Sequence, residues 1–385
     1  MAAWMQASFF VLWLAAVAFY AISTWCLASF YRRASQGRPT ASGPTDCPPM
    51  TVLKPVRGAD GDTYENLESF ILQDYPAFQV LIGVAEPDDP AAEVARQLIA
   101  AHPGADVSLV TGHAEDSPNL KAGNLAGMYT RAKYDILVVA DADMRVGPGY
   151  LRALANGFED PRVGLVTCPY RGAYPSDMGS AFEALTIDTD FLPSVAVAER
   201  LEGMSFALGA TMAVRREALE AIGGFRALSP YLADDYMLGN LVKRAGYGLF
   251  LSGYVVDAVE RAGSVKGYFA HQLRWGRTYR ACRPKGYFLS VLTKGTAFAA
   301  FFLLSTGFSL AGWSVFMADI LIRGAQALYI EARYIRGPGV RRYLWLLPLK
   351  DLIGFALWFM SFTGNKVTWK GTSFMVDREG RLVRL

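Results

Sequence analysis

Tyr134–Val146, YDILVVADADMRV, is the stretch whose reading decides the fold. Five apolar residues, Ile136 to Ala140, end abruptly in Asp141-Ala142-Asp143. A continuous, partly β-branched apolar run of that length suits a strand buried on both faces of a parallel sheet. Ligands of open α/β sheets bind beyond the carboxyl ends of such strands. Two carboxylates one residue apart at that edge suit a divalent cation bridging a diphosphate, which Mg²⁺ does with one or two carboxylates plus substrate oxygens. The competing reading is a surface turn with two solvated aspartates.

Outward from this stretch the chain alternates. Strands are expected at 50–53, 78–86, 107–112, 135–141 and 164–170, with helices over 65–73 and 91–101 between them. That order predicts a mostly parallel, doubly wound α/β sheet. Beyond residue 200 the pattern loosens. Residues 206–219 read as a strand or turn feeding a helix closed by Gly223-Gly224. Residues 232–246 read as a helix with acidic residues near its start, the polarity the helix dipole favours. Residues 247–259 read as strand, and 268–288 as a basic, aromatic segment.

With 52% hydrophobic and 19% charged residues the chain is too apolar for an ordinary soluble protein. The net charge of +3 is mild, and no nucleic-acid partner is expected. Residues 1–31 carry no charge, and Arg32 and Arg33 follow at once. Residues 1–33 therefore read as a retained transmembrane anchor rather than a cleaved leader, with everything after it in the cytoplasm by the positive-inside rule. Residues 34–49, rich in Ser, Pro, Thr and Gly, read as a linker, and 50–286 as the cytoplasmic α/β domain. The four cysteines are scattered, which argues against disulfides and a Cys-based zinc site.

The second half ends in apolar segments. Within 287–322 the only charges are Lys294 and Asp319, and a tight membrane hairpin is expected there, a single span being the alternative. Residues 323–342 form a basic loop. Residues 343–363 hold Lys350 and Asp351 at their middle, where charge is expensive in lipid, so a re-entrant or interfacial helix is expected. Residues 364–385, with Lys366, Lys370, Arg378, Arg381 and Arg384, read as a basic tail.

Four constellations carry chemistry. Asp89, after the second strand, suits a base imide or ribose hydroxyl; it equally suits a helix N-cap ahead of Pro90. Asn119-Leu120-Lys121-Ala122-Gly123-Asn124 offers an amine and two amides for a phosphate, or is a solvated helix start. Asp234-Asp235 opens a helix and includes a candidate base. His271-Gln272-Leu273-Arg274-Trp275, backed by Arg277, Arg280 and Arg283, can neutralise a leaving diphosphate and wall an acceptor. The plainer reading of this last group is a headgroup-binding collar.

Taken in this order, the motifs resemble inverting membrane glycosyltransferases with a GT-A nucleotide-sugar domain, and more closely the ceramide glucosyltransferase family. The resemblance lies in VLKPVRGADGDTYENLESFILQDYP (52–76), EPDDP (86–90), NLKAGNL (119–125), DADMRV (141–146), GATMAVRREALEAIGGF (209–225), LADDYML (232–238) and LRW (273–275). Several of these stretches look most like the bacterial, hopanoid-associated branch. The resemblance implies an integral enzyme of a bacterial inner membrane whose catalytic domain faces the cytoplasm. It implies that Asp89 holds uridine, that Asp141 and Asp143 place the diphosphate through Mg²⁺ or Mn²⁺, that Asp235 is the base, and that Arg274 and Trp275 complete the site. Lys121 and His271 join as donor-binding residues. The family's box opens with Gln or Arg where this chain has His271, so the role of that position stays open. The implied reaction transfers glucose or N-acetylglucosamine from a UDP-sugar to a lipid hydroxyl, ceramide-like or hopanoid. A processive polysaccharide synthase, a polyprenyl-phosphate sugar transferase and a non-catalytic lipid-binding protein are the alternatives.

Overall fold

The computed structural model describes residues 2–36, 47–112, 117–259, 263–337, 340–369, 372–377 and 379–384. Most of the expected linker, together with Lys370 and Arg378 of the basic tail, lies outside the described residues. The strands in chain order are β1 (Met50–Val56), β2 (Phe78–Val84), β3 (Val107–Thr111), β4 (Ile136–Val139), β5 (Met144–Arg145), β6 (Val163–Thr167), β7 (Tyr170–Gly172), β8 (Met212–Arg215), β9 (Gly248–Leu251), β10 (Val256–Ala258), β11 (Lys366–Trp369), β12 (Thr372–Val376) and β13 (Leu382–Arg384).

Seven strands form the central sheet in the order β3-β2-β1-β4-β8-β6-β9. All are parallel except β8, which runs antiparallel between β4 and β6. Strand β4 is short and central. Its Ile136 and Val138 enter one hydrophobic core with Val52, Val80 and Ile82, while Leu137 and Val139 enter the other with Leu53 and Leu81. Burial on both faces is why the run reads as continuously apolar. The α/β class with a mostly parallel sheet is thus what the chain adopts.

The helices are α1 (Ala2–Gln36), α2 (Thr63–Ile71), α3 (Pro90–Ala101), α4 (Leu120–Tyr129), α5 (Tyr150–Gly157), α6 (Met178–Thr186), α7 (Leu192–Glu202), α8 (Arg216–Ala221), α9 (Asp234–Arg244), α10 (Val265–Cys282), α11 (Pro284–Leu289), α12 (Gly295–Ser305), α13 (Leu310–Ile330), α14 (Val340–Tyr343) and α15 (Leu347–Met360). A π-helical turn, Ile187–Phe191, joins α6 to α7. The segment read as one strand over 247–259 is two. β9 extends the central sheet, and β10 joins a small second sheet ordered β5-β10-β7. Residues 366–384 are not an irregular tail, since β11, β12 and β13 form an antiparallel sheet of their own.

Among the described residues two helical stretches, Ala3–Ser35 and Arg341–Thr363, are long and apolar enough to cross a membrane. A third qualifies if the pair 284–293 and 295–305, bent by 53°, is one span. Helices α12 and α13 turn back on each other through 306–309 and pack with α1 and α15. The charges inside α15 face inward. Lys350 Nζ lies 2.9 Å from Asp190 Oδ1 and 2.6 Å from Asp351 Oδ1, and Arg323 Nε donates to Asp351 Oδ2 at 3.0 Å. Arg323 also pairs with Asp190 of the π-turn.

Candidate active site

The central sheet brings Asp141 to its carboxyl edge, one residue past the core residue Ala140. The Asp141 main chain is gripped from two sides: its N–H donates to the Gly209 carbonyl at 3.3 Å, and its carbonyl accepts from Lys54 Nζ. Lys54 is a fully buried lysine on β1 whose ammonium also lies 4.0 Å from the Phe70 ring centroid. Burial pulls Lys54 down to about 7 against the upward pull of Asp143 and Asp141. Asp143 is held two residues on by Val259 N–H donating to its carbonyl at 2.8 Å. Confinement first, and the Asp141 carboxylate second, raise its carboxyl above the usual range.

Lys121, in the first turn of α4, bridges two acidic elements. Its Nζ lies 2.6 Å from Asp141 Oδ1 and 2.9 Å from Asp234 Oδ2. Burial opposes its charge, but the two carboxylates outweigh that and hold it protonated. Asp235, next along α9, accepts from Gly209 N–H at 3.0 Å and from its neighbour Tyr236 N–H at 2.7 Å. Gly209 therefore ties Asp141 and Asp235 together through its carbonyl and its amide. A methyl group there would meet Asp141 Oδ2 at 2.5 Å and Asp235 Oδ2 at 3.4 Å. Burial, with Asp234 next in weight, pushes Asp235 up to about 6, a value suited to accepting a proton near neutrality.

The third wall is α10. His271 Nδ1 lies 2.7 Å from Glu183 Oε1, and Gln272 Nε2 donates to Glu183 Oε2 at 2.7 Å. The His271 ring stands edge-on to Trp275, 4.9 Å between centroids, and Trp275 packs against Phe191 of the π-turn. His271 is near enough to Asp143 for its charge to act on that carboxyl, and Arg274 acts likewise on Glu183. The arginines further along α10 do other work. Arg277 donates to the Lys366 carbonyl at 2.5 Å, Arg280 donates to the Gly364 carbonyl at 3.0 Å, and Arg283 pairs with Glu202. They fasten α10 to the C-terminal sheet and to α7.

Not every candidate converges. Asp89 lies at the same sheet edge but caps α3, accepting from Ala91 N–H at 2.8 Å, and both its oxygens accept from Gly58 N–H at 2.9 Å. Asn119 caps α4 and donates to the Tyr231 carbonyl at 2.7 Å; Asn124 donates to the Gly83 carbonyl at 2.9 Å. Of that constellation only Lys121 faces the acidic cluster. The Asp141–Asp143 pair fits a divalent cation in donor chemistry. Among the described residues no third His, Cys, Asp or Glu completes an all-protein cage. Two hard oxygen donors beside further carboxylates suit Mg²⁺ or Mn²⁺ sharing its sphere with phosphate oxygens and water.

The model of glycosyl transferase family 21 matches residues 8–382. The chain belongs to that family. Among curated proteins, this family 21 chain is similar to ceramide glucosyltransferase 3 of Caenorhabditis elegans, 26% identical over 242 residues, covering 62% of this chain and 52% of the relative. It is also similar to ceramide glucosyltransferase of Komagataella phaffii, 34% identical over 132 residues, covering 31% of this chain and 26% of the relative. The chain thus spans about half the length, or less, of these two relatives. Among solved structures it is similar to the mannosyltransferase PcManGT from Pyrobaculum calidifontis in complex with GDP-Man and Mn²⁺. Identity there is 23% and the TM-score 0.49, with 89% of this chain and 99% of that chain covered.

Three residues of the candidate site escaped sequence reasoning. Lys54 left a signal, a lysine inside an apolar strand. Gly209 opens a stretch that carries the resemblance but was not singled out, and Glu183 left no signal, because a glutamate on a helix is ordinary there.

Proposed function

We propose that this chain is a membrane-anchored, cytoplasm-facing glycosyltransferase of a bacterial inner membrane, moving glucose or N-acetylglucosamine from a UDP-sugar to the hydroxyl of a ceramide-like or hopanoid lipid. The observation that carries this reading is the meeting of Asp141 and Asp235 at Gly209. A carboxylate just past β4 and another at the start of α9 come together at Gly209 from separate elements. Such a pair divides the labour of a displacement, one side holding the leaving group and the other accepting a proton. Membership of family 21 supports the same reading.

In this scheme Asp143 and Asp141 hold Mg²⁺ or Mn²⁺, which when bound neutralises charge on the diphosphate. Lys121 keeps Asp141 and Asp234 in register and adds a positive charge beside the phosphates. Asp89, anchored by backbone amides, flanks the uridine. Asp235 takes the proton from the acceptor hydroxyl as that oxygen attacks the anomeric carbon, opposite the departing UDP. One displacement inverts the configuration. Arg274 balances charge on the leaving side, and Trp275 forms the acceptor wall. An acceptor with a large apolar body stays in the bilayer, so α1, α12, α13 and α15 hold the cleft at the headgroup plane. The test is product mass spectrometry of the purified protein with a panel of UDP-sugars and extracted lipids. A glycolipid one hexose or N-acetylhexosamine heavier is expected; a polymer, a polyprenyl-phosphate sugar or no product at all would overturn the reading.

A further inference from the structure

Asn119 is fully buried, and both ends of its side-chain amide are in use. Oδ1 accepts from Ala122 N–H at 3.0 Å and so caps α4, while Nδ2 donates to the Tyr231 carbonyl at 2.7 Å. Around that amide two chain segments lie side by side. Asn119 N–H donates to the Ser229 carbonyl at 3.1 Å, Ser117 Oγ donates to the Asn119 carbonyl at 2.7 Å, and the Ser117 and Ser229 hydroxyls lie 2.7 Å apart. Each segment leads into a helix of the site: α4, with Lys121 in its first turn, and α9, with Asp234 and Asp235 in its first turn. A cap needs only an acceptor, which serine, threonine or aspartate supplies as well. The donor half of the amide answers to another need.

That need lies in α9. Its N-cap is Ala233, whose methyl group has no oxygen to offer the helix amides. The loop ahead of it is instead bonded along both edges. Leu232 N–H donates to the Gly380 carbonyl at 3.5 Å on one edge, and the Ser229 and Tyr231 carbonyls accept from Asn119 on the other. We propose that Asn119 is a positioning residue, fixing the candidate base Asp235 against Lys121 by tying the start of α4 to the loop that enters α9. The inference rests on the base assignment above. The tie joins the chain two residues before Lys121 to the chain four residues before Asp235. The ion pair of Lys121 with Asp234, at 2.9 Å, closes a short ring on the far side. In so short a ring a shift of Tyr231 passes into the first turn of α9. A misplacement of about 1 Å at a reacting group costs on the order of 100-fold in rate.

Asn119→Ser and Asn119→Thr both keep the cap of α4 and are too short to donate to the Tyr231 carbonyl. Hydrogen–deuterium exchange of the full-length protein reads the tie without reference to activity. Expected in both variants is exchange about tenfold faster or more within residues 229–237, with residues 121–129 as protected as in the wild type. UDP with Mn²⁺, followed by calorimetry, should bind within about threefold of wild type. The kcat for glycolipid formation from UDP-glucose or UDP-N-acetylglucosamine with extracted lipids should fall about 30-fold or more. Unchanged exchange at 229–237 would overturn the tie. Faster exchange there with unchanged kcat, or equal losses of UDP affinity and kcat, would overturn the positioning role. Should the serine variant not fold, the threonine variant carries the test. A wild type that makes no glycolipid would instead overturn the base assignment, while the exchange result still judges the tie.

Discussion

At Asp235 the environment that suits the proposed base opposes stability. Its carboxyl is raised to about 6, by burial first and Asp234 second. In the proposed role of base it must be ionised, so kcat/KM should climb from pH 5 to 7 and then level. Asp235→Asn should lower kcat at least about 100-fold. The stability sign is opposite. A carboxyl whose folded value exceeds its unfolded one favours folding while protonated, and that advantage is lost as pH rises through about 4 to 6. Above pH 6 the ionised group costs roughly 2–3 kcal/mol. Asp235→Asn should therefore melt higher than wild type at pH 8 and equally at pH 4; a lower melting point at pH 8 would refute this. Gly209 gives a second test at this scale. A methyl there forces Asp141 or Asp235 aside, so Gly209→Ala should cut turnover on the order of 100-fold with little change in the unfolding midpoint. Asp141 and Asp143 were legible as candidates because motif and strand edge coincide, and Lys121 and Asp235 because each motif opens a helix. Lys54, Gly209 and Glu183 were not, since each matters only through contacts far away in the chain.

At the scale of elements, long apolar runs betrayed β1, β2 and β4, whose side chains are buried on both faces. The C-terminal sheet was illegible. Its strands are short, and its many basic residues read as a solvated tail. Its packing has a clear target. Leu382 N–H donates to the Pro230 carbonyl at 2.6 Å, and Leu232 joins Val367, Phe374 and Val376 in one cluster. The sheet braces the loop that leads into Asp234-Asp235. Phe374→Ala, a buried truncation that costs about 3–5 kcal/mol in typical cores, should open this sheet locally. Limited proteolysis should then cut within residues 364–385, and kcat should fall more than UDP affinity. A variant cut there with unchanged kcat would show that the brace is dispensable.

For the whole molecule, the charged residues in the apolar helices prove to be an internal network: Asp190, Arg323, Lys350 and Asp351 face one another. A linear sequence could flag Lys350-Asp351 as costly in lipid but could not supply partners about 160 residues away. Breaking a buried pair from one side leaves an uncompensated charge. Asp190→Asn should lower the melting temperature in detergent by an amount equivalent to about 3–5 kcal/mol, while Asp190→Leu combined with Lys350→Met should recover most of it. If the double variant is no better than the single one, the network is not acting as pairs. Orientation is testable at the same scale. A single cysteine at position 336, in a background without the four native ones, should resist an impermeant reagent added outside sealed right-side-out vesicles; labelling from outside would overturn the hairpin.

The π-turn at 187–191 has a geometric consequence. One extra residue in a helix rotates everything after it by about 100° around the axis. Upstream, α6 turns Glu183 toward α10; downstream, α7 turns Leu192 and Ala196 toward Cys26 and Leu27 of α1. A single rod thus serves two clients that face different directions. Deleting one residue within the turn would put the two ends out of phase, so that seating either end correctly would misdirect the other.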